Sequence, residues 1–258
     1  MSYTRLLFER RDALAILTFN EPEKRNPFSP TLIDELGDCL GKVAKDKDVL
    51  AVIFTGKGRA FSSGADLRVI QSADPMEDRH EYERVLGMTR LVWNYPKVTL
   101  AAVNGPALGL AASFVGWCDL AVAEESATFG FPEVRAGIAS ASVVPTLARV
   151  VGRKAMNELL LIGKPMPARE AWRVGLVNRV VPDGESMKAA IALAGELEGN
   201  TAHGIEFTKD VIRTTTDMEY NKALDYARDV RIISRMHPAS QTRIDDYMTR
   251  RELRERKD

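Results

Sequence analysis

A chain of 258 residues with 45% apolar and 28% charged residues carries enough apolar material for one large core with an appendage. Its 36 basic and 36 acidic residues cancel, which removes the global field that would draw in nucleic acid or an anionic membrane. Cys39 and Cys118, with the scattered His80, His203 and His237, give neither a disulfide framework nor metal-ligand spacing, and point to a reducing, cytoplasmic setting without a metal.

Met1 to Asp12 is charged early and lacks an apolar core, so it does not read as a secretory signal. Ala13 to Phe19 reads as a strand ending at Asn20-Glu21-Pro22. Ser29-Pro30 opens a helix with a side-chain cap and a proline at the first helical position. Leu32, Ile33, Leu36, Leu40 and Val43 then repeat at helical spacing and predict one buried face. Val49 to Thr55 is a short apolar strand, after which Gly56-Lys57-Gly58 turns the chain toward Phe61. The polar stretch from Leu67 through Asp78 reads as a loop, and a helix is expected from about Arg79 to Trp93, stopped by Pro96. Tyr82, Met88 and Trp93 of this region suit either a pocket lining or ordinary core.

The uncharged window from Val98 to Cys118 is long enough to span a bilayer. Asn104, Gly105, Pro106 and Gly109 interrupt it, so a strand over Lys97–Val103, a tight turn and a buried helix over Leu110–Trp117 are the better reading. Leu120 to Ala123 continues as a strand. From Met187 onward no strand pattern remains, and four segments between Ala189 and Arg256 look helical. The alternation predicts an α/β core over residues 1–200 and a helical region over 201–258. The mixed charges of its last segment, Arg243 to Glu255, read as a solvated helix face.

Two turns stand out. Ala60 to Leu67 and Asn104 to Ser113 each follow a buried strand and lead toward a helix start. Amides at a helix start are unpaired and sit at the positive end of the helix dipole. Two such donors facing one carbonyl oxygen would form an oxyanion hole. Glu133, following Phe129-Gly130-Phe131-Pro132, is either desolvated in an apolar setting, which would suit acid/base work, or points to water from the edge of a strand.

These segments, in this order, resemble the crotonase (enoyl-CoA hydratase/isomerase) superfamily. Pro22-Glu23-Lys24-Arg25-Asn26 is similar to its early CoA-contacting turn. Phe61 to Leu67 and Asn104 to Ser113 are similar to its two oxyanion segments. Cys118-Asp119-Leu120-Ala121 continues the second, and Ala127 to Val134 is similar to the stretch that bears a catalytic carboxylate, which implies that Glu133 is the catalytic acid/base. The resemblance implies an α/β crotonase-like spiral of β-β-α units with a C-terminal helical trimerisation region, assembling as a homotrimer or a dimer of trimers. It implies an acyl-CoA substrate and no cofactor beyond the CoA moiety. It further implies that the N–H groups of Ala65 and Leu110 polarise the thioester carbonyl, that Lys24 and Arg25 lie near the CoA nucleotide, and that Ser63, Ala65, Asp66 and Leu67 border the adenine.

The chain departs from the hydratase pattern at three places. Ser113 stands where hydratases carry a second glutamate, Leu110 replaces a glycine, and Ala139 to Ser142 lacks the usual glycine-rich turn. Ser113 either takes part with Glu133 or bonds back to a carbonyl one helical turn earlier. A single carboxylate suffices for moving a double bond, so isomerisation of enoyl-CoA is favoured. Hydration, hydratase-lyase or thioester hydrolase chemistry using Ser113 and Glu133, and a catalytically idle CoA-binding scaffold are the alternatives.

Overall fold

The computed structural model of the chain describes residues 2–66 and 74–245. It divides into two compact units, Met1–Glu198 and Gly199–Asp258. The first unit begins with β1 (Leu6–Arg11) and β2 (Leu14–Phe19), an antiparallel hairpin that pairs Leu6 with Phe19 and Arg11 with Leu14. Sequence reading missed β1. It is an edge strand whose Leu6 alone is fully buried, so its pattern carries charges instead of an apolar run.

Next come α1 (Pro30–Lys45), β3 (Ala51–Gly56), α2 (Pro75–Trp93), β4 (Val98–Val103), β5 (Ala107–Leu108), α3 (Leu110–Trp117) and β6 (Leu120–Glu124). Then follow β7 (Thr128–Gly130), α4 (Val144–Val150), α5 (Arg153–Ile162), β8 (Met166–Pro167), α6 (Ala168–Arg173), β9 (Arg179–Val181) and α7 (Ser186–Gly195). Among the described residues the main sheet runs β1-β2-β3-β4-β6-β9 and is parallel from β2 onward. Every residue of β3 and β4 is buried, which is why both read as continuous apolar runs. A second, small sheet has the order β5-β7-β8.

The expected Ser29 cap is present: its side chain accepts from the Leu32 amide, and Leu32, Ile33, Leu36, Leu40 and Val43 are buried. Helix α2 starts four residues earlier than expected. Asp74 caps it by accepting from the Met76 amide at 2.8 Å, and Pro75 occupies the first turn, the same device that opens α1. The Val98–Cys118 window resolves into β4, a turn and α3, and no helix among the described residues is long and apolar enough to cross a membrane. Helix α3 is buried on all sides, from Leu110 to Trp117. At its end the Trp117 indole N–H donates to Thr146 Oγ1 of α4 at 3.0 Å.

The second unit contains α8 (Ala202–Thr215) and α9 (Tyr220–Met236), with helical turns from 238 to the last described residue, 245. The remainder of the expected final helix lies outside the described residues. Thr201 caps α8 and Glu219 caps α9. The rings of His203 and His237 stack at 4.1 Å, and His203 Nε2 lies 2.7 Å from Ser240 Oγ. Burial, then the neighbouring His237, holds the His203 pKa below its ordinary value near 6.5. The folded state therefore binds fewer protons than the unfolded chain just below that value, so stability rises with pH there. This contribution is present above about pH 6.5 and is lost as the pH falls through the window beneath it. The protection factors of α8 and α9, taken relative to the intrinsic exchange rate at each pH, should be smaller at about pH 5 than at about pH 7.5, and His203→Asn should flatten the difference.

Candidate active site

The two turns singled out from sequence lie side by side. Ser62 and Ala107 form a parallel bridge, with the Ser62 amide donating to Pro106 O and the Leu108 amide to Ser62 O, both at 3.2 Å. Three residues on, Ala65 bridges Phe28: the Phe28 amide donates to Gly64 O at 2.8 Å. In a trans peptide the carbonyl and the following N–H point in opposite directions. With Gly64 O committed to Phe28, the Ala65 N–H points away from Phe28. The same geometry governs the second turn. Gly109 O accepts from the Ser113 amide inside α3 at 3.1 Å, so the Leu110 N–H projects off the helix N-terminus. Among the described residues neither amide donates to a backbone or side-chain acceptor.

Both turns need glycine. Gly64 has φ 92°, and a Cβ there would lie 2.4 Å from Leu108 O and 3.3 Å from the Leu110 nitrogen. Gly109 has φ 53° and ψ −121°, and a Cβ there would stand 2.7 Å from Glu133 Oε1. The acid and the start of α3 are thus in contact. Glu133 sits in a short 3-10 turn, Pro132–Ala136, anchored by the fully buried Phe129 and Phe131. It is half-buried, and its Oε2 accepts from Ser140 Oγ at 3.1 Å.

Ala65, Leu110, Ser113 and Glu133 face one cavity of about 460 Å³, whose wall also includes Ser63 and Asp66. Phe28, Pro30, Ile33, Val85, Ile138 and Val143 make most of the wall apolar, while Ser140, Ser142 and Glu81 add polar points. Glu81 lies 3.5 Å from Arg84 Nε. Ser113 is buried, and its Oγ is 3.4 Å from Gly109 O, the back-bonding arrangement, with the residue still on the cavity wall. Of the three α2 residues considered, Tyr82 lines the cavity, Met88 is core, and Trp93 packs against the core.

Lys24 and Arg25 are held next to Ser63 instead of forming cavity wall. The Ser63 amide donates to Arg25 O at 2.8 Å, and Ser63 Oγ is 3.4 Å from Lys24 O. The Lys24 ammonium pairs with the buried Glu21, which also binds Arg5 at 3.1 Å. Leu67 lies outside the described residues. Sequence reading did not single out Asn26, which fixes this turn. It is fully buried with φ 54°, a conformation asparagine tolerates better than most residues. Its Oδ1 accepts from the Glu21 amide at 2.9 Å, and its Nδ2 donates to Lys57 O and Ala60 O at 3.0 Å. The Asn-in-a-turn signal was available in Pro22 to Asn26, but its distant partners were not.

The family model described as enoyl-CoA hydratase/isomerase matches residues 9–254. The chain belongs to the enoyl-CoA hydratase/isomerase family. A putative enoyl-CoA hydratase of Thermus thermophilus is 41% identical over 202 residues, covering 77% of this chain and 80% of that protein. The short-chain-enoyl-CoA hydratase of Clostridium acetobutylicum is 31% identical over 88% of this chain and 87% of its own. Among solved structures, an enoyl-CoA hydratase of Mycobacterium smegmatis superposes with a TM-score of 0.89 at 27% identity, covering 96% of this chain and 97% of that one. The fold is that of the crotonase enzymes, and the chain is an enzyme of this family.

Two substitutions test the frame of this hydratase/isomerase-family site. Asn26→Ala strands buried donors and acceptors worth about 1–3 kcal/mol each. Urea unfolding should show a loss of about 3 kcal/mol or more. Gly109→Ala forces a side chain into a glycine-only conformation, at about 1–3 kcal/mol, and presses on the Glu133 carboxylate. It should lower the melting temperature and reduce turnover more than it weakens CoA-thioester binding.

Proposed function

We propose that the cavity takes an acyl-CoA thioester, with the amides of Ala65 and Leu110 as its oxyanion hole and Glu133 as its acid/base. The observation that carries this reading is the contact between Glu133 Oε1 and Gly109, beside the outward-facing Leu110 amide. A thioester α-proton is too weakly acidic for a carboxylate to remove unaided, so the developing oxyanion needs preset donors. Each is worth ~2.7–4 kcal/mol in the transition state. In this reading Lys24 and Arg25 contact the CoA nucleotide while Ser63, Ala65 and Asp66 border the adenine, supported by the bonds that tie Ser63 to Arg25 and Lys24.

The reaction favoured is double-bond isomerisation. Glu133 takes a proton from C2 of a 3-enoyl thioester, the electrons move onto the thioester oxygen, and the same carboxyl returns the proton at C4 as C3=C4 becomes C2=C3. Ser113, where a second carboxylate would be needed to activate water, supports this choice. Hydration of a 2-enoyl thioester is the second reading, favoured by the hydratase names of the relatives at 41% and 31% identity. The exposed Ile232, Ile233 and Met236 of α9 offer apolar surface for packing in a homotrimer or dimer of trimers.

The test is a matched panel of 2-enoyl-CoA and 3-enoyl-CoA substrates, followed for isomerisation, hydration and free CoA. Conversion of 3-enoyl to 2-enoyl-CoA is expected to be the fastest activity. Glu133→Gln keeps the shape but removes the base, and kcat/KM should fall by about 10²–10⁴-fold while CoA-thioester binding persists. Full activity in that variant would remove Glu133 from the mechanism.

A further inference from the structure

Glu133 holds its two carboxylate oxygens in unlike surroundings. Oε2 accepts the hydroxyl hydrogen bond of Ser140 at 3.1 Å, while Oε1 lies against the Cα side of Gly109, where a Cβ would approach it to 2.7 Å. Ser140 reaches this position because the chain reverses after the 3-10 turn. Gly137 adopts φ 75°, and the Ile138 amide donates back to Glu133 O at 3.0 Å. Ser140 and Glu133 both line the cavity, so the contact is part of the site wall.

We infer that Ser140 is a positioning residue for Glu133, fixing the carboxylate so that Oε1, the oxygen beside the start of α3, is the one that exchanges the substrate proton. The inference rests on Glu133 being the proton-transfer group. A glutamate on a half-exposed turn has three side-chain torsions and two equivalent oxygens. Proton transfer, by contrast, demands one oxygen at hydrogen-bond range from C2 while the thioester oxygen sits at the amides. Ser140 removes that freedom at one oxygen and Gly109 admits the other. In the step itself the C2–H bond breaks, an O–H bond forms at Oε1, and the electron pair passes to the thioester oxygen. The Ser140 proton stays on Ser140 throughout. A site with a single catalytic carboxylate depends on such a restraint more than one in which two carboxylates grip a shared water.

The experiment measures C2 proton exchange of butyryl-CoA in D2O by NMR, a readout of proton abstraction that does not depend on which product the enzyme makes. It also measures kcat and KM on whichever enoyl-CoA is turned over. Ser140→Ala is expected to slow exchange and lower kcat about 10- to 100-fold with KM nearly unchanged, and Ser140→Thr, which restores a hydroxyl, to recover most of the loss. Thermal unfolding of both variants checks that the fold is intact. Wild-type kcat in Ser140→Ala, an effect confined to KM, or no recovery in Ser140→Thr each overturns the role of Ser140 while leaving Glu133 as the base. Undiminished exchange in Glu133→Gln overturns the reading beneath it instead.

Discussion

The site depends on one constraint, the fixing of two peptide planes. Gly64 O is bonded to the Phe28 amide and Gly109 O to the Ser113 amide, so the N–H groups across those two peptide bonds have no choice of direction. The donors are main-chain groups held by a sheet bridge on one side and a helix on the other. Their directions are set by the backbone itself, and fixed dipoles of this kind are what preorganised electrostatic stabilisation requires.

Beneath these planes lies a cluster of aromatic rings that ties the same segments together. Phe114 of α3 packs on Phe54, Phe28, Phe19 and Phe61 with ring centroids 4.9 to 6.3 Å apart. Phe28 precedes α1, Phe61 begins the first turn, and Phe114 follows Ser113, so each ring anchors a piece of the backbone that frames the cavity. Such pairs contribute about 0.5–1.5 kcal/mol each beyond their buried area, and here that energy is directed at loop positions. The acid is held differently. Its turn is more exposed and leans on Phe129 and Phe131 from behind and on Ser140 in front.

Much of this was legible in the residue order. The apolar runs of β3 and β4, the Ser29-Pro30 opening of α1 and the all-apolar α3 declare themselves through burial and capping, which are local properties. Edge strand β1 stayed hidden because only Leu6 had to be buried. The first turn of α2 stayed hidden because Asp74-Pro75 sits in a polar stretch that resembles a loop. Between Val144 and Val181 the elements are short and bounded by glycine and proline, so no period has room to establish itself. Glu133, Ala65 and Leu110 could be proposed from motif order, and the structure brings them to one cavity wall, whereas the Ser140 contact and the cavity-facing place of Tyr82 depend on side-chain direction, which spacing does not encode. The distant acceptors of Asn26 were beyond reach for the same reason.

The way the cavity is closed has a temporal consequence. Phe28 must meet Gly64, Ser62 must meet Ala107, and Gly109 must meet Glu133, so every wall of the cavity is closed by segments remote along the chain. Contacts of that kind form slowly and only after long loops have closed. Along the chain the Pro22–Asn26 turn and the amides of Ala65 and Leu110 all precede Glu133, so they are synthesised before it. Until that last strand-and-turn joins, the cavity wall lacks Ile138 and Val143, and apolar lining left uncovered in an unfinished chain is a site for chaperones or for other unfinished chains.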